Sequence, residues 1–234
     1  MPSSIHPVPK LALFDLDHTL LEGDCGQLWL QFLTAQGRIS EADWRPRLGA
    51  FYQDYLNGCL DIAAYTSFQL SFQLELGADA SEALRRSYFQ GWVKPRIRPQ
   101  GENRIREYRQ AGVAVVIVTA THRYFAEPVA AALGVDDLIA TETDAAMDGR
   151  HVLRGSAAFA EGKRDRASEW CAARTLTLQD CHFYSDSHND LPLLSAAGRA
   201  FVVTPDATLA EHARNHAWPC LDWRLTQNCD GALS

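Results

Sequence analysis

The sequence predicts an α/β fold in which a parallel sheet carries an inserted block of helices. Leu11–Phe14 is a short apolar run, and the next convincing strand comes only at residues 111–120, after a long stretch with helical patterning. From there on, apolar strands alternate with helices. Such alternation is typical of a parallel sheet covered by helices on both faces, because a parallel strand needs a crossover to return beside its neighbour.

The first strand, Leu11–Phe14, is continuously apolar, as strands buried on both faces are. From about residue 26 to 92 the apolar residues instead recur at helical spacing, and Gly37, Gly58 and Gly77 stand where helices are expected to end. We therefore predict about four helices, inserted directly after the first strand. Several aromatic residues are expected to form the core of this block or to line a pocket: Trp29, Trp44, Tyr52, Tyr55 and Phe72.

The remaining chain supplies the other strands of the sheet and the helices that cover it. Asp148-Gly149, in a weakly alternating stretch, is typical of a hairpin turn. The predicted elements are, in order, a helix at 100–110, a strand at 111–120, a helix at 125–133, a strand at Asp137–Thr141, the hairpin at 142–153, a helix at 163–173, a strand at 182–184, a helix at 192–197 and a strand at Arg199–Val203.

Composition and charge argue against several classes of protein. The 234 residues carry a net charge of −7, which argues against nucleic acid or an anionic membrane as the main partner. No apolar run approaches the roughly 20 residues of a membrane span, and residues 1–10 lack the apolar segment of a signal peptide. The six cysteines are widely spaced and form no CxxC motif, so we expect free thiols and a cytoplasmic protein.

Polar side chains follow three of the predicted strands. In open parallel sheets, ligands bind outside the carboxyl ends of the strands. If these strands are neighbours, carboxylates, a hydroxyl and a lysine from the start of a helix meet at one edge of the sheet. The residues concerned are Asp15, Asp17, Thr119, Lys163, Asp186 and Asp190.

Four carboxylates cannot all be ionised at one place without a compensating cation. Either their pKa values are strongly raised or they bind a metal. Aspartate oxygens without a His or Cys cluster suit Mg²⁺ rather than Zn²⁺, and Mg²⁺ commonly combines one or two carboxylates with water and a substrate phosphate. Lys163 and the Thr119 hydroxyl then serve as phosphate partners. The pattern predicts Mg²⁺-assisted chemistry on a small phosphorylated metabolite.

A mechanism follows from this arrangement. Asp15 is placed to attack phosphorus and form an aspartyl-phosphate. Asp17, two residues later, can protonate the leaving alkoxide and afterwards activate water. Mg²⁺ would reduce the repulsion between the carboxylate and the phosphate dianion. Thr119 and Lys163 would stabilise the equatorial oxygens of the transition state.

The same residues resemble the sequence motifs of the haloacid dehalogenase superfamily. Its four motifs are a DxDxT sequence, a Ser or Thr that ends a strand, a Lys on a helix and a spaced acidic pair. Their counterparts here, in the right order, are residues 15–19, Thr119, Lys163, and Asp186 with Asp190. The inserted helices resemble the cap of the phosphoserine phosphatase-like branch of that superfamily.

The resemblance implies a Rossmann-like core, formed by residues 1–24 and 95–234, and a helical cap at residues 25–94. It also implies a Mg²⁺-dependent phosphatase that acts on a small phosphomonoester, such as phosphoserine or histidinol phosphate. Two alternatives stay open: a phosphotransferase of the same fold, and a catalytically silent protein that binds a phosphorylated metabolite. The intact acidic motifs argue against the silent alternative.

The resemblance further implies roles for individual residues. Asp15 would be both nucleophile and metal ligand, and Asp186 the second side-chain ligand. Asp17 would act as acid and base and offer its backbone carbonyl to the metal, while Asp190 would hold Lys163. The residues implied to bind substrate are Asp24, Thr119, Ala120, Lys163 and Asn189.

Two positions depart from the usual motifs. Ser185 stands where the acidic motif usually opens with glycine, and Ala120-Thr121 replaces a glycine pair. Asp24 has a second interpretation as the N-cap of the helix that follows it. The histidines next to the motifs are more often surface or supporting residues than catalytic ones; they are His18, His122 and His188.

Overall fold

The computed structural model describes residues 8–72, 78–145 and 151–225. Its strands are β1 (Leu11–Phe14), β2 (Ala114–His122), β3 (Asp137–Thr141), β4 (Thr143–Ala145), β5 (His151–Leu153), β6 (Cys181–Ser185), β7 (Arg199–Val203) and β8 (Cys220–Leu221). Its helices are α1 (Cys25–Ala35), α2 (Glu41–Leu56), α3 (Ile62–Leu70), α4 (Ala78–Tyr88), α5 (Pro99–Gln110), α6 (Arg123–Leu133), α7 (Glu161–Ala172), α8 (Leu191–Ala196) and α9 (Ala207–Asn215).

Six strands form one parallel sheet in the order β3-β2-β1-β6-β7-β8. From β1 the chain builds outward to one side through β2 and β3, and then to the other side through β6, β7 and β8. The order therefore reverses at β1, and in sheets of this kind the crevice at such a reversal is where ligands bind. The predicted fold class, an α/β protein with a parallel sheet, is confirmed.

Both faces of the sheet are buried, which explains why its strands are continuously apolar. In β1, Ala12 and Phe14 belong to one hydrophobic cluster, whereas Leu11 and Leu13 belong to the other. The first cluster includes apolar residues of α1, α5 and α6, and the second includes residues of α7, α8 and α9. Successive side chains of a strand point to opposite faces, so a strand covered on both sides shows no polar alternation.

Four α-helices, α1 to α4, lie between β1 and α5 in the described residues, as the helical spacing predicted. Trp29 and Trp44 are buried, in agreement with the predicted aromatic core. The prediction that Tyr52 belongs to a core was wrong. The residue is 58% exposed, because α2 buries only Trp44 and turns its Tyr52 face to solvent. The division of the chain into core and cap stays a prediction.

Several boundaries differ from the predicted ones. β2 begins at Ala114 rather than at residue 111, because Gly112 adopts a left-handed φ of 73° in the turn before the strand. Strands β4 and β5 pair antiparallel, as the predicted hairpin requires, but its turn at Asp148-Gly149 lies outside the described residues. Three elements were not predicted from the sequence: α9, β8 and a π-helical turn at Phe89–Val93.

The two connections between the sheet and the inserted helices run side by side. The N–H of Glu22 donates to the carbonyl of Arg96 at 2.8 Å, and the N–H of Arg98 donates to the carbonyl of Leu20 at 2.8 Å. The chain thus enters and leaves the helical block through a short antiparallel pair next to the end of β1.

Two further properties concern membrane association and thiols. None of the helices in the described residues is long and apolar enough to span a membrane. The described cysteines are free thiols, and two of them, Cys171 and Cys181, lie 3.7 Å apart between their sulfur atoms. Cys229 lies outside the described residues.

Candidate active site

Three of the predicted site residues lie at or next to the carboxyl ends of adjacent strands. β2 and β6 both pair with β1, so the loops that follow these three strands share one edge of the sheet. Asp15 directly follows β1, Thr119 lies near the end of β2, and Asp186 directly follows β6. The topology alone therefore brings the predicted carboxylates and the hydroxyl together at the reversal point of the sheet.

Lys163 joins two of the aspartates in a buried ion cluster. Its Nζ lies 2.8 Å from Asp15 Oδ1 and 2.7 Å from Asp190 Oδ2. Burial alone would lower the pKa of Lys163, but the charges of Asp15 and Asp190 outweigh it and raise the pKa above its usual value. The lysine is therefore cationic at neutral pH, and it fixes the orientation of both carboxylates.

The start of α7 is built to place Lys163 in this position. A Cβ on Gly162 would lie only 2.3 Å from the carbonyl oxygen of Ala157, so no larger residue fits there without moving the chain. Ala160, just before the helix, adopts a left-handed φ of 48°. The tight approach of these segments directs the first turn of α7 into the site.

Two hydroxyl groups bind the aspartates, and neither of them was assigned a role from the sequence. Thr19 Oγ1 lies 2.8 Å from Asp186 Oδ1 and 3.3 Å from Asp15 Oδ2. Ser185 Oγ donates to Asp190 Oδ2 at 2.6 Å. Thr19 ends the DxDxT motif and Ser185 is the departure from glycine, so their positions in the motifs were the available signal.

Asp17 is held by hydrogen bonds of its own, outside the cluster around Lys163. Its Oδ1 accepts a hydrogen bond from the backbone N–H of Cys25 at 2.9 Å, and its Oδ2 accepts one from the hydroxyl of Thr121. Burial, followed by the charge of Asp24, raises the pKa of Asp17 to about 7. Asp17 is thus in the range in which a carboxyl group can both give and take a proton near neutral pH.

The remaining predicted residues surround this centre. Thr119 is buried, and its Oγ1 accepts from the N–H of Thr121 at 3.1 Å. Ala120, between them, is half-buried. Asn189 is buried, and its Nδ2 donates to the backbone carbonyl of Tyr55 on α2 at 3.3 Å, which ties the acidic loop to the inserted helices.

Both interpretations of Asp24 are compatible with the structure. Its Oδ1 accepts from the N–H of Gln27 at 2.6 Å, so it is the N-cap of α1. Its carboxylate oxygens also lie 3.5 Å from the hydroxyl of Tyr65 on α3. Burial and the charge of Asp24 raise the pKa of Tyr65 well above its usual value, so this hydroxyl stays neutral and can donate.

The three histidines next to the motifs have supporting contacts. His18 adopts a left-handed φ of 56°, and its carbonyl accepts a hydrogen bond from Arg98 at 2.6 Å. His122 is the N-cap of α6, where its Nδ1 accepts from the N–H of Tyr124 at 3.2 Å. His188 Nδ1 lies 2.9 Å from Asp206 Oδ2.

The donor set fits Mg²⁺. In the parts of the chain that the structure describes, no three His, Cys, Asp or Glu side chains form a metal-binding group. The carboxylates of Asp15 and Asp186 both lie within hydrogen-bonding distance of the Thr19 hydroxyl, so these two carboxylates are close to each other. Burial and the charge of Asp15 raise the pKa of Asp186 well above its usual range, a repulsion that a bound cation would relieve. Two carboxylates completed by water and phosphate are a common Mg²⁺ environment.

Comparison with known proteins identifies the family. Residues 12–195 match the family model described as haloacid dehalogenase-like hydrolase. The chain belongs to this haloacid dehalogenase-like family. A curated relative, the histidinol-phosphatase of Neisseria meningitidis serogroup C, is 33% identical over 220 residues, which cover 92% of this chain and 99% of the relative.

Solved structures of similar proteins show the same haloacid dehalogenase-like fold. The crystal structure of a protein of unknown function from Bordetella pertussis Tohama I is 34% identical, with a TM-score of 0.82 over 93% of this chain and 100% of that one. A substrate-bound phosphoserine phosphatase is 18% identical, with a TM-score of 0.66 over 92% of this chain and 94% of that one. The predicted family, and with it the prediction of a phosphatase at family level, are confirmed.

Proposed function

We propose that this protein is a Mg²⁺-dependent phosphatase that hydrolyses a small phosphomonoester through a phosphorylated Asp15. The observation that carries the proposal is the arrangement around Asp15. Its carboxylate is held by Lys163 on one side and lies beside Thr19 and Asp186 on the other. An aspartate fixed in this way, beside a lysine and a predicted cation site, is suited to attack a phosphate dianion.

In the first step a carboxylate oxygen of Asp15 forms a bond to phosphorus as the ester oxygen leaves. Lys163, with its raised pKa, supplies positive charge next to the oxygens that gain negative charge. Thr119, buried at the end of β2, is positioned to donate its hydroxyl hydrogen to a phosphate oxygen. When bound by Asp15, Asp186 and the backbone carbonyl of Asp17, Mg²⁺ would supply further positive charge for the same purpose.

Asp17 transfers the proton in both steps, as an acid in the first and as a base in the second. With a pKa of about 7, a large fraction of Asp17 carries a proton at neutral pH and can give it to the leaving alkoxide. The resulting carboxylate can then take a proton from the water that hydrolyses the phosphorylated Asp15. The hydrogen bonds from Cys25 and Thr121 orient the side chain for this exchange.

The surroundings of Asp24 favour a substrate that carries an amine. Asp24 and the Tyr65 hydroxyl provide an anionic, hydrogen-bonding wall beside Asp17. Among the described arginines of the inserted helices, Arg47 lies over the rings of Phe51 and Phe68, Arg85 pairs with Glu82 and Glu127, and Arg45 pairs with Glu41. The other two, Arg38 and Arg86, are exposed. In these contacts Arg45, Arg47 and Arg85 bind groups of the inserted helices and of α6, not Asp17, Asp24 or Tyr65.

A phosphorylated amino alcohol without a carboxylate, such as histidinol phosphate, therefore suits this wall better than phosphoserine does. The histidinol-phosphatase relative supports the same choice. We expect a higher kcat/KM for histidinol phosphate than for phosphoserine, measured by release of inorganic phosphate. Faster hydrolysis of phosphoserine would contradict this part of the proposal and leave the phosphatase activity itself intact.

The central test is hydrolysis of p-nitrophenyl phosphate by the purified protein. We expect activity with Mg²⁺, loss of activity with EDTA and recovery when Mg²⁺ is restored. Asp15→Asn should lower turnover by several orders of magnitude, since the uncatalysed reaction is extremely slow. Asp144→Asn is the matched control, because the carboxylate of Asp144, on β4, is exposed and pairs with Arg154 rather than with a residue of the site. Full activity of the chelated protein or of Asp15→Asn would contradict the mechanism.

A further inference from the structure

We propose that Arg98 is a positioning residue for this reaction. Its guanidinium holds the loop at residues 16–22, which carries Asp17 and Thr19, against the connection through which the chain leaves the inserted helices. The inference rests on the proposed function for its effect on turnover. Its structural part, the hold on the loop, has a separate measurement.

The guanidinium of Arg98 contacts two kinds of acceptor, a carboxylate and backbone carbonyls. Its Nε and Nη2 lie 2.9 and 2.8 Å from Glu22 Oε2. Its Nη1 lies 2.6 Å from the carbonyl oxygen of His18 and 3.4 Å from that of Thr19. The residue is only 2% exposed although it carries a permanent charge. The fork of a planar guanidinium reaches a carboxylate on one side and two carbonyls on another, a span that the compact ammonium of lysine does not match.

The carbonyls that Arg98 binds belong to the turn between the catalytic side chains. His18 adopts a left-handed φ of 56°, a conformation that a residue other than glycine keeps only when its surroundings hold it. Asp17 lies directly before this turn, with its carboxylate on the N–H of Cys25. Thr19 lies directly after it, with its hydroxyl on Asp186. A shift of the turn would therefore move the acid and base on one side and the neighbour of the nucleophile on the other.

Arg98 also lies where the two connections of the inserted helices meet. Its own N–H donates to Leu20 and the N–H of Glu22 donates to Arg96, each at 2.8 Å. The guanidinium adds side-chain links between the same two segments, because it binds the carboxylate of Glu22 and the carbonyl of His18. Arg98 thus belongs to the connection that leaves the insertion, while its side chain contacts the turn and the entering connection. Its nitrogen atoms contact none of the catalytic side chains in the described residues.

A buried ion pair alone would not require this arrangement. Taking charges out of water costs free energy that the pair recovers only in part, so an apolar side chain of similar size can be equally stable. The side chain of Glu22 is 42% exposed, which weakens its attraction for Arg98 further. The two carbonyl contacts, which fix the shape of the turn, are the feature that only an arginine provides here.

The experiment compares Arg98→Lys with Arg96→Lys as the matched control. Arg96 is in the same connection, but its guanidinium reaches the carbonyl of Trp92 and not the catalytic turn. With p-nitrophenyl phosphate we expect Arg98→Lys to lower kcat by about ten- to a hundredfold with little change in KM, the scale set by small misplacements of reacting groups. We expect Arg96→Lys to stay within about twofold of the wild type, because the Arg96 side chain contacts Trp92 and not the turn, and lysine keeps its charge.

Hydrogen exchange supplies the readout that does not depend on activity. Amides of residues 16–22 should exchange faster in Arg98→Lys than in the wild type and in Arg96→Lys. Glu22→Gln removes the ion pair but keeps the contacts to His18 and Thr19, so it should retain a kcat close to that of the wild type. If Arg98→Lys is too unstable to purify, Arg98→Met gives the same comparison without a buried charge.

The outcomes separate the alternatives. A lower melting temperature with unchanged kcat and unchanged exchange of residues 16–22 would make Arg98 a purely structural residue and overturn the proposal. A loss of kcat in Glu22→Gln as large as that in Arg98→Lys would also overturn it, because the ion pair rather than the turn would then matter. A wild-type protein without phosphatase activity would reject the proposed function, and the exchange data would still decide whether Arg98 holds the loop.

Discussion

At the scale of single residues, hydroxyl groups organise the site as much as charges do. Thr19 lies between Asp15 and Asp186, Ser185 binds Asp190, and Thr121 binds Asp17. Each hydroxyl donates to a carboxylate that is buried or half-buried, which reduces the cost of keeping several acidic groups in one place. Lys163 completes this set by binding the two aspartates closest to it.

The role of Asp17 leads to a prediction about leaving groups. Asp17→Asn keeps the shape and the contact with Cys25 but removes the transferable proton. We expect kcat/KM to fall by about a hundredfold or more for phosphates of aliphatic alcohols, and far less for p-nitrophenyl phosphate, whose leaving group needs no proton. The comparison uses kcat/KM because this quantity reports the steps up to the release of the alcohol. An equal loss for both kinds of substrate would contradict a role as general acid.

At the scale of elements, the ends of helices carry much of the site. α1 begins at the N-cap Asp24, and the N–H of its first residue, Cys25, binds Asp17. α6 begins directly after β2, the strand that carries Thr119, and its N-cap His122 is the last residue of that strand. α7 begins two residues before Lys163. The strands place these helix ends together, and the free N–H groups of a helix start then favour negative charge nearby.

The two interpretations of Asp24 can be separated by a pair of variants. Asparagine caps a helix about as well as aspartate, whereas alanine does not. Asp24→Ala should therefore lower the free energy of unfolding by about 1 kcal/mol, and Asp24→Asn should change it little. If Asp24 binds a substrate amine, both variants should lose kcat/KM for histidinol phosphate relative to an aliphatic phosphomonoester that carries no amine. An unchanged ratio in both variants would show that Asp24 is only an N-cap.

The start of α6 predicts a dependence of stability on pH. Burial, with the neighbouring His151, lowers the pKa of His122 to about 4 in the folded protein, against about 6.5 when unfolded. Between about pH 4 and pH 6.5 the imidazole of His122 is protonated in the unfolded chain and neutral in the folded protein. The folded state therefore loses stability as the pH falls from about 6.5 to about 4. Nδ1 also accepts the N–H of Tyr124, a bond that a protonated ring would lose if the proton went there.

His122→Asn tests this dependence, because asparagine keeps a side-chain acceptor at the N-cap without titrating. Denaturant unfolding at pH 7 and at pH 4.5 should show a smaller loss of unfolding free energy in the variant than in the wild type. The difference between the two proteins removes the contributions of all other titrating groups. A loss of the same size in both would mean that His122 is not the group responsible.

At the scale of the whole molecule, the inserted helices contact the catalytic loops directly. The hydroxyl of Tyr55 on α2 donates to Ser187 Oγ at 2.5 Å, and the carbonyl of Tyr55 accepts from Asn189 at 3.3 Å. Tyr65 on α3 reaches Asp24. These contacts lie between the ends of the strands and the helices, which is the arrangement expected of a cap that closes over the site and selects the substrate.

Tyr55→Phe tests whether the inserted helices select the substrate. The variant removes the contact with Ser187 while the ring remains, so the ranking of phosphomonoesters by kcat/KM should change. The Mg²⁺ concentration for half-maximal activity should not change, since no metal-site residue is altered. Tyr52→Phe is the matched control, because Tyr52 lies three residues earlier on the same helix and is exposed. The same ranking in both variants and the wild type would assign specificity to the loops of the sheet.

The sequence by itself determined the parallel sheet, the inserted helices and the positions of the acidic motifs. These features depend on local information: the apolar runs of β1 and β2, the helical spacing between them, and the carboxylates at the ends of the strands. Strand topology then brings together whatever follows neighbouring strands, so Asp15, Thr119 and Asp186 could be expected to meet. Strand β8 has only two residues, too few to give a periodic signal, and the nine-residue helix α9 buries only Leu209 and Ala213, too few to mark an apolar face in the sequence.

Only the tertiary structure decided how the side chains are directed. The sequence did not show that Thr19 and Ser185 hold the aspartates, that Asp17 turns toward Cys25, or that Tyr52 faces solvent while Tyr55 reaches Ser187. Arg98 lies more than seventy residues along the chain from the turn that it holds. Such contacts depend on the packing of distant segments, whose relative orientation is a property of the whole folded chain and is not encoded in any local pattern.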